Sequence, residues 1–373
     1  MQQTFFGAFL KIVLIGLLPI QSSFSTTLSS ILIDSQQFYS SYPEQLPLGE
    51  QFAEVVEASG IPINKPPQET LRIVIQLVGL ESSLKNQAIL ETFKQRMREL
   101  RIDYRLDTFT ESGYLGGSEG ALQGYLKIAA MDPDYLLVTG GGAVQSRIVE
   151  RFLLSIKPKI IVYDMATPLR NWENHPPLIY IGFDERQATS QLAFEIHKKL
   201  PIKSSMHALV LPPDYLSHAR CDTFLDRMYD NNRKIKVIRS VENSKKLAYE
   251  AALELLSTSS VDFVFSCTQA ISDGVVLAIK ALGLEGKTQT NTWRLSSQDI
   301  RGLRDGLVLM SYLFKQDELA VGMAEAVKRD LEGARMPRLY IASGSLVNMP
   351  LSDERLGELQ RQAYRYSRSI WQK

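Results

Sequence analysis

YLLVTGGGAVQSRIVERF, residues 135–152, runs from an apolar strand through three glycines directly into a helix. A turn of this kind either cradles a phosphate or simply joins two elements. Gly140, Gly141 and Gly142 lack the G-x-G-x-x-G spacing of a dinucleotide fingerprint and the Gly-Lys-Ser/Thr ending of a phosphate loop. The first strand-turn-helix unit, IVIQLVGLESSLKN at residues 73–86, carries only Gly79. The turn therefore reads as a tight strand-to-helix joint. The alternative is an anion at the helix N-terminus, which needs no fingerprint.

The same alternation extends outward. Strand candidates fall at 71–78, 102–108, 135–139, 159–165, 178–183, 207–211, 235–241, 261–267, 288–293, 307–314 and 339–343, most of them short apolar runs of the kind buried on both faces. Helical segments lie between most of them: Ile89, Leu90, Phe93, Met97 and Leu100 share a face, as do Ala248, Ala251, Ala252 and Leu255. Asp184 to Gln187 fits a capping box. Sustained alternation predicts an α/β fold of parallel sheets with right-handed crossovers. So many strands exceed what one open sheet comfortably holds, which predicts two similar Rossmann-like lobes. Their ligands bind beyond the carboxyl ends of the strands.

With 42 basic and 41 acidic residues, the chain carries no charge excess that would favour nucleic acid as a partner. Residues 1–25 read as a cleaved signal peptide, with an apolar run after Lys11 and a small-x-small ending at Ser23-Phe24-Ser25, which predicts export to the periplasm. The competing reading is an uncleaved anchor, because Phe5, Phe6, Phe9 and Leu10 extend the apolar region. Residues 26–70, interrupted by Pro43, Pro47, Pro62, Pro66 and Pro67, form an N-terminal leader with a helical segment at 48–59. Cys221 and Cys267 are the sole cysteines and are not a CxxC pair. One bridge is allowed in an oxidising compartment, and two free buried thiols are the expected state.

The four histidines show no metal-ligand spacing, and no G-x-S-x-G elbow occurs. No metal, no cofactor and no enzymatic activity are expected. Binding chemistry has better candidates. Asp164 follows an apolar strand, where it either accepts from a ligand or stabilises a turn. Arg220 sits at a predicted helix start, where a positive charge opposes the dipole and suits an anionic or polyol ligand. Trp293 ends a strand, placed either to stack on a sugar ring or to pack in the core.

Four stretches carry a resemblance: ATPLRNWENHPPLIYIGFD (166–184), YLSHARCDTFLDRMYDNN (215–232), GMAEAVKRDLEGARMP (322–337) and RQAYRYS (361–367). They resemble the LuxP-type receptors for autoinducer-2, which are type I periplasmic binding proteins of the sugar-binding class. The resemblance runs from about the leader to the C-terminus. It implies two lobes joined by a three-segment hinge, with crossings expected at 200–205, 314–316 and 334–338. The first lobe is then 71–200 with 315–335, the second 203–314 with 338–348, and a helical tail follows at 350–373.

Carried over residue by residue, Ser83, Arg220 and Trp293 match positions that contact the signal in that family. Glu81 stands in place of glutamine, Asn86 of tryptophan, Asp164 of asparagine, and Gln269 with Ala270 of threonine-aspartate. Phe314 stands where a second arginine holds the anionic borate diester. One guanidinium with nearby carboxylates favours an uncharged furanose or sugar over an anion, since losing a charged partner in a closed cleft costs about 2–5 kcal/mol. The resemblance implies a quorum-sensing receptor that reports to a membrane sensor histidine kinase. The alternative is the binding subunit of a sugar ABC importer, with a permease as partner.

Overall fold

Leu71–Val78 is an eight-residue run whose central side chains are all buried, so it forms an interior strand with no solvent face. A computed structural model describes residues 32–111, 118–139, 143–213 and 218–372. The predicted signal segment and the turn Gly140 to Gly142 lie outside the described residues. Two helices, α1 (Ser35–Ser41) and α2 (Gln45–Glu57), precede the first strand. Then follow β1 (Leu71–Val78), α3 (Leu84–Glu99), β2 (Tyr104–Glu111), α4 (Ser118–Ala130), β3 (Tyr135–Thr139), α5 (Ala143–Leu153), β4 (Lys159–Tyr163) and β5 (Ile179–Phe183). The middle of the chain comprises α6 (Glu185–Lys199), β6 (Ser205–Val210), α7 (His218–Asp230), β7 (Lys234–Ser240), α8 (Lys245–Thr258), β8 (Phe263–Ser266), α9 (Gln269–Ala281), β9 (Gln289–Thr292), α10 (Ser297–Arg304) and β10 (Val308–Phe314). Last come α11 (Asp317–Leu331), β11 (Leu339–Ala342), β12 (Gly344–Asn348), α12 (Asp353–Ala363) and α13 (Arg368–Trp371).

These strands make two six-stranded sheets, ordered β11-β5-β4-β3-β1-β2 and β12-β10-β9-β8-β6-β7. Every pairing is parallel except β12 with β10. The architecture is the two-lobed α/β fold of a type I binding protein. Most interior strands are continuous apolar runs; β9, QTNT, is interior and buried yet polar, and β7, at a sheet edge, alternates between exposed and half-buried residues. Alternate residues of β1 face opposite layers: Ile73, Ile75 and Leu77 join the core shared with α3, while Val74 joins the layer containing Tyr125 and Val149. Gly182 in β5 is required by close approach, since a Cβ there would lie 2.3 Å from the Met165 carbonyl carbon.

The lobes meet at crossings that differ from two of the three expected. Helix α6 follows β5 but packs on α7, β10 and β12, burying Leu192, Ala193 and Ile196. The first crossing is therefore at Phe183 and Asp184, not at 200–205, and the first lobe ends its opening segment there rather than at residue 200. The second crossing lies between Phe314 and α11, which packs on α3, β4, β5 and β11. The third falls at Ser343, because β11 pairs with β5 and β12 with β10. Residues 339–342 thus belong to the first sheet, although 338–348 were expected wholly in the second lobe. A short linker between two strands leaves no helix to mark the switch.

One carboxylate ties the last two crossings together. Glu318 accepts from the Ser343 backbone N–H (2.7 Å), the Ser343 hydroxyl (2.9 Å) and the Tyr340 hydroxyl (3.0 Å), and pairs with Lys315 at 3.4 Å. The tail adds a further link: Gln360 and Tyr364 bond the Leu295 backbone of the second lobe, while Tyr366 and Ser367 bond Asp317 at the start of α11. Cys221 and Cys267 form a disulfide across a Cα separation of 5.4 Å. The expected free thiols are thereby corrected: α7 and the end of β8 converge, a closeness that a sequence separation of 46 conceals.

Candidate functional site

The predicted site residues fall at the carboxyl ends of β1, β4, β6, β8, β9 and β10 or on the helices that follow them, where open parallel sheets bind ligands. On the second lobe, Arg220 lies in the first turn of α7 and is buried. Its guanidinium carbon sits 4.3 Å from the Trp293 ring centroid and 5.5 Å from that of Phe314. The two rings are stacked, 6.2 Å apart at 11°. Phe183, from the first crossing, meets Phe314 at 4.5 Å, and Tyr312 meets it at 4.9 Å. Arg220, Trp293 and Phe314 are thus brought together into one aromatic-cationic wall.

Hydrogen bonds fix this wall. The Trp293 indole donates to the Ser266 carbonyl at 2.7 Å, and its backbone N–H donates to Gln269 Oε1 at 2.8 Å. Gln269 in turn donates to Asp273 and Asp299, which also bind Arg294. Burial pushes the Asp299 carboxyl above its ordinary value, against the pull of Arg294. Arg220 Nη1 donates to the Cys267 carbonyl at 3.3 Å, and Nη2 pairs with Glu185. Among the described residues, its buried Nε has no hydrogen-bond partner.

On the first lobe the predicted residues take more separate positions. Ser83 caps α3 by accepting from the Asn86 N–H. Asn86 is buried and donates to the Val78 and Leu80 carbonyls, so its amide holds the β1–α3 connection in shape. Glu81 is exposed and accepts from Thr108 at 3.0 Å. Asp164 has φ 58°, in the left-handed region that aspartate tolerates better than most residues, and pairs with Lys85 at 2.5 Å.

Sequence reasoning missed Glu185, Lys85, Phe183 and the disulfide. Glu185 was legible as part of the capping box after β5, but with α6 assigned to the first lobe nothing directed its carboxylate to Arg220. Asp184 does cap α6, accepting from the Gln187 N–H at 2.8 Å. A separate cavity of about 510 Å³ lies at the second crossing, lined by residues including Glu57, Lys315, Asp317, Glu318 and Arg361, and by none of the eight predicted site residues. Within its lining, Lys315 pairs with both Glu57 and Glu318.

Residues 144–335 match the family model described as a periplasmic binding protein domain. The fold is similar to several solved structures. A sugar transporter from Clostridium phytofermentans is 17% identical, with TM-score 0.60, over 76% of this chain and 100% of that one. An ABC transporter periplasmic solute binding protein from Actinobacillus succinogenes, with bound D-allose, is 15% identical, with TM-score 0.64, over 78% and 100%. An ABC transporter solute binding protein from Agrobacterium vitis, with bound D-fucose, is 11% identical, with TM-score 0.66, over 77% and 99%. At these identities the likeness is one of fold.

Proposed function

Because the chain belongs to the periplasmic binding protein domain family, we propose that it is a periplasmic receptor whose two lobes close on a small uncharged polyol, a sugar in ring form, for delivery to an ABC importer. The observation that carries this reading is the flat guanidinium of Arg220 laid against Trp293 beside Phe314 at the mouth of the strands. An aromatic face suits the apolar face of a sugar ring, and polar groups around it suit the hydroxyls. The bound sugars of the Actinobacillus and Agrobacterium proteins favour the same class. Ser83, Glu81, Asn86, Asp164 and Gln269 are the further candidates for the ligand's surroundings, Asn86 through the shape of its loop. Closure works only through tighter binding to the closed form. Residues 1–25 provide export in this reading, which N-terminal sequencing of the mature protein checks.

Mass spectrometry of copurified ligand, followed by calorimetric titration with D-allose, D-fucose, D-galactose and D-ribose, tests the proposal. One-to-one binding of a neutral sugar is expected. An amino acid or peptide in the cleft would refute it.

A second reading, an autoinducer-2-like receptor reporting to a sensor histidine kinase, is favoured by the LuxP-type stretches at 166–184, 215–232 and 361–367. It requires ligand-dependent binding to the periplasmic domain of such a kinase. Ligand-dependent stimulation of a reconstituted permease ATPase instead supports the importer.

A further inference from the structure

Arg220 stands in the first turn of α7, where its charge gains nothing from the helix dipole and where a buried cation normally draws an anion. That anion is already supplied by the chain. Glu185, the first residue of α6, reaches across the packed α6–α7 pair to Nη2 of Arg220. Its own carboxylate sits at a helix N-terminus, where negative charge is favoured. On the opposite lobe Lys85 and Asp164 likewise form a closed pair. Each cation of the two walls thus has its own carboxylate, and Glu81, which accepts from Thr108, adds a further negative charge on the first lobe. What remains on Arg220 is the buried Nε donor, which has no hydrogen-bond partner among the described residues and suits a neutral hydroxyl oxygen.

We propose that Glu185 is the charge-selectivity residue of this cleft: as the built-in counter-ion of Arg220, it admits neutral ring ligands and turns away anionic ones. The inference rests on the sugar-binding reading above for the identity of the neutral ligand. An anion that approached Arg220 would have to displace Glu185 or lie beside it, placing two negative charges against one guanidinium. Specificity then comes from repulsion built into the receptor as much as from attraction.

The test uses Glu185→Gln, which keeps the size of the side chain and a hydrogen bond to Arg220. Calorimetry compares D-galactose with D-galacturonate and D-glucose with D-glucuronate, pairs that differ only in a carboxylate. Wild-type protein should prefer the neutral member by about tenfold or more, and Glu185→Gln should shift the ratio toward the uronate by about tenfold. Inorganic sulfate, followed by thermal unfolding, provides an arm independent of sugar. Glu185→Gln should gain saturable stabilisation by sulfate that wild type lacks and that Arg220→Met in the same background abolishes. A folded Glu185→Gln protein with an unchanged neutral-to-anion ratio and no sulfate response overturns the proposal. Should that variant not fold, Glu185→Asp, whose shorter arm draws the carboxylate away from Arg220, must shift both readouts in the same direction, and no shift overturns it equally. If wild type binds no neutral sugar, the sugar reading fails while the sulfate arm still decides the role of Glu185.

Discussion

The guanidinium of Arg220 and the indole of Trp293 lie face to face, 4.3 Å from carbon to ring centroid, with the indole N–H committed to Ser266. Truncating Trp293 to alanine would confuse two effects, since this ring is buried and its loss costs about 3–5 kcal/mol of folding stability. Trp293→Phe is cleaner. It keeps an aromatic face and gives up one hydrogen bond, worth about 1 kcal/mol. It should weaken binding of a neutral sugar about tenfold, and Arg220→Met about a hundredfold, with thermal unfolding little changed in the first case. Wild-type affinity in both variants, by calorimetry, would remove the ligand from this wall.

The disulfide Cys221–Cys267 adjoins the same guanidinium on both sides. Cys221 follows Arg220 in sequence, and the Cys267 carbonyl accepts from it. Replacing both cysteines by serine releases a loop closed across a sequence separation of 46 and should lower stability by about 2–4 kcal/mol. Urea unfolding of the oxidised protein against the double variant measures this. Sugar affinity should fall as well, because the start of α7 loses its anchor to the end of β8. An unchanged affinity at reduced stability would show that the bridge supports the lobe without positioning Arg220.

Much of this fold was legible because strands buried on both faces write themselves as short apolar runs. β3 and β5 are fully buried and stand out for that reason. Strand β12, GSLVN, has only Val347 fully buried and pairs antiparallel to β10, so it carries no such signature. The lobe assignment of α6 failed for a different reason. A crossover helix and a helix that has changed lobes show the same amphipathic period, and only the partner of that face distinguishes them. The eight candidate residues were found by strand ends and by family likeness. Glu185 and Lys85 were not, since an ion pair between distant segments leaves no local pattern.

Arg96 and Glu325 form a buried pair at 2.7 Å that joins α3 to α11, and Arg96 also donates to the Val55 and Ala58 carbonyls and to Tyr366. Burial pushes the Glu325 carboxyl up, against the pull of Arg96. Arg96→Met strands this carboxylate and should cost about 3–5 kcal/mol. Without its partner the Glu325 pKa in the folded state rises further above its unfolded value. Stability is then fully present below the unfolded pKa and is lost as pH rises from there through the folded pKa. The deficit of Arg96→Met relative to wild type should therefore be larger at pH 8 than at pH 5, and Arg96→Met with Glu325→Leu should recover much of it. Equal deficits at both pH values would place the loss in packing and in the Val55 and Ala58 carbonyls left without their donor, not in the charge of Glu325.

The C-terminal tail provides the last prediction, because it grips both lobes within four residues. Leu295 of the second lobe donates its N–H to the Tyr364 hydroxyl at 3.2 Å. Asp317 of the first lobe accepts from the Tyr366 N–H at 2.6 Å and from the Ser367 N–H and hydroxyl at 3.0 and 2.5 Å. Leu295 lies two residues beyond Trp293, and Asp317 two residues beyond Lys315 of the second crossing. Removing residues 364–373 takes away both the Tyr364 hydroxyl at Leu295 and the Asp317 donors, and an unmatched charged acceptor costs more than the bonds themselves contribute. Stability should fall by about 2–4 kcal/mol. Hydrogen exchange should quicken together at residues 293–296 and 315–318, although the two segments lie in different lobes. Faster exchange at 315–318 alone would mean that the tail is an ornament of the first lobe and no strap between the two.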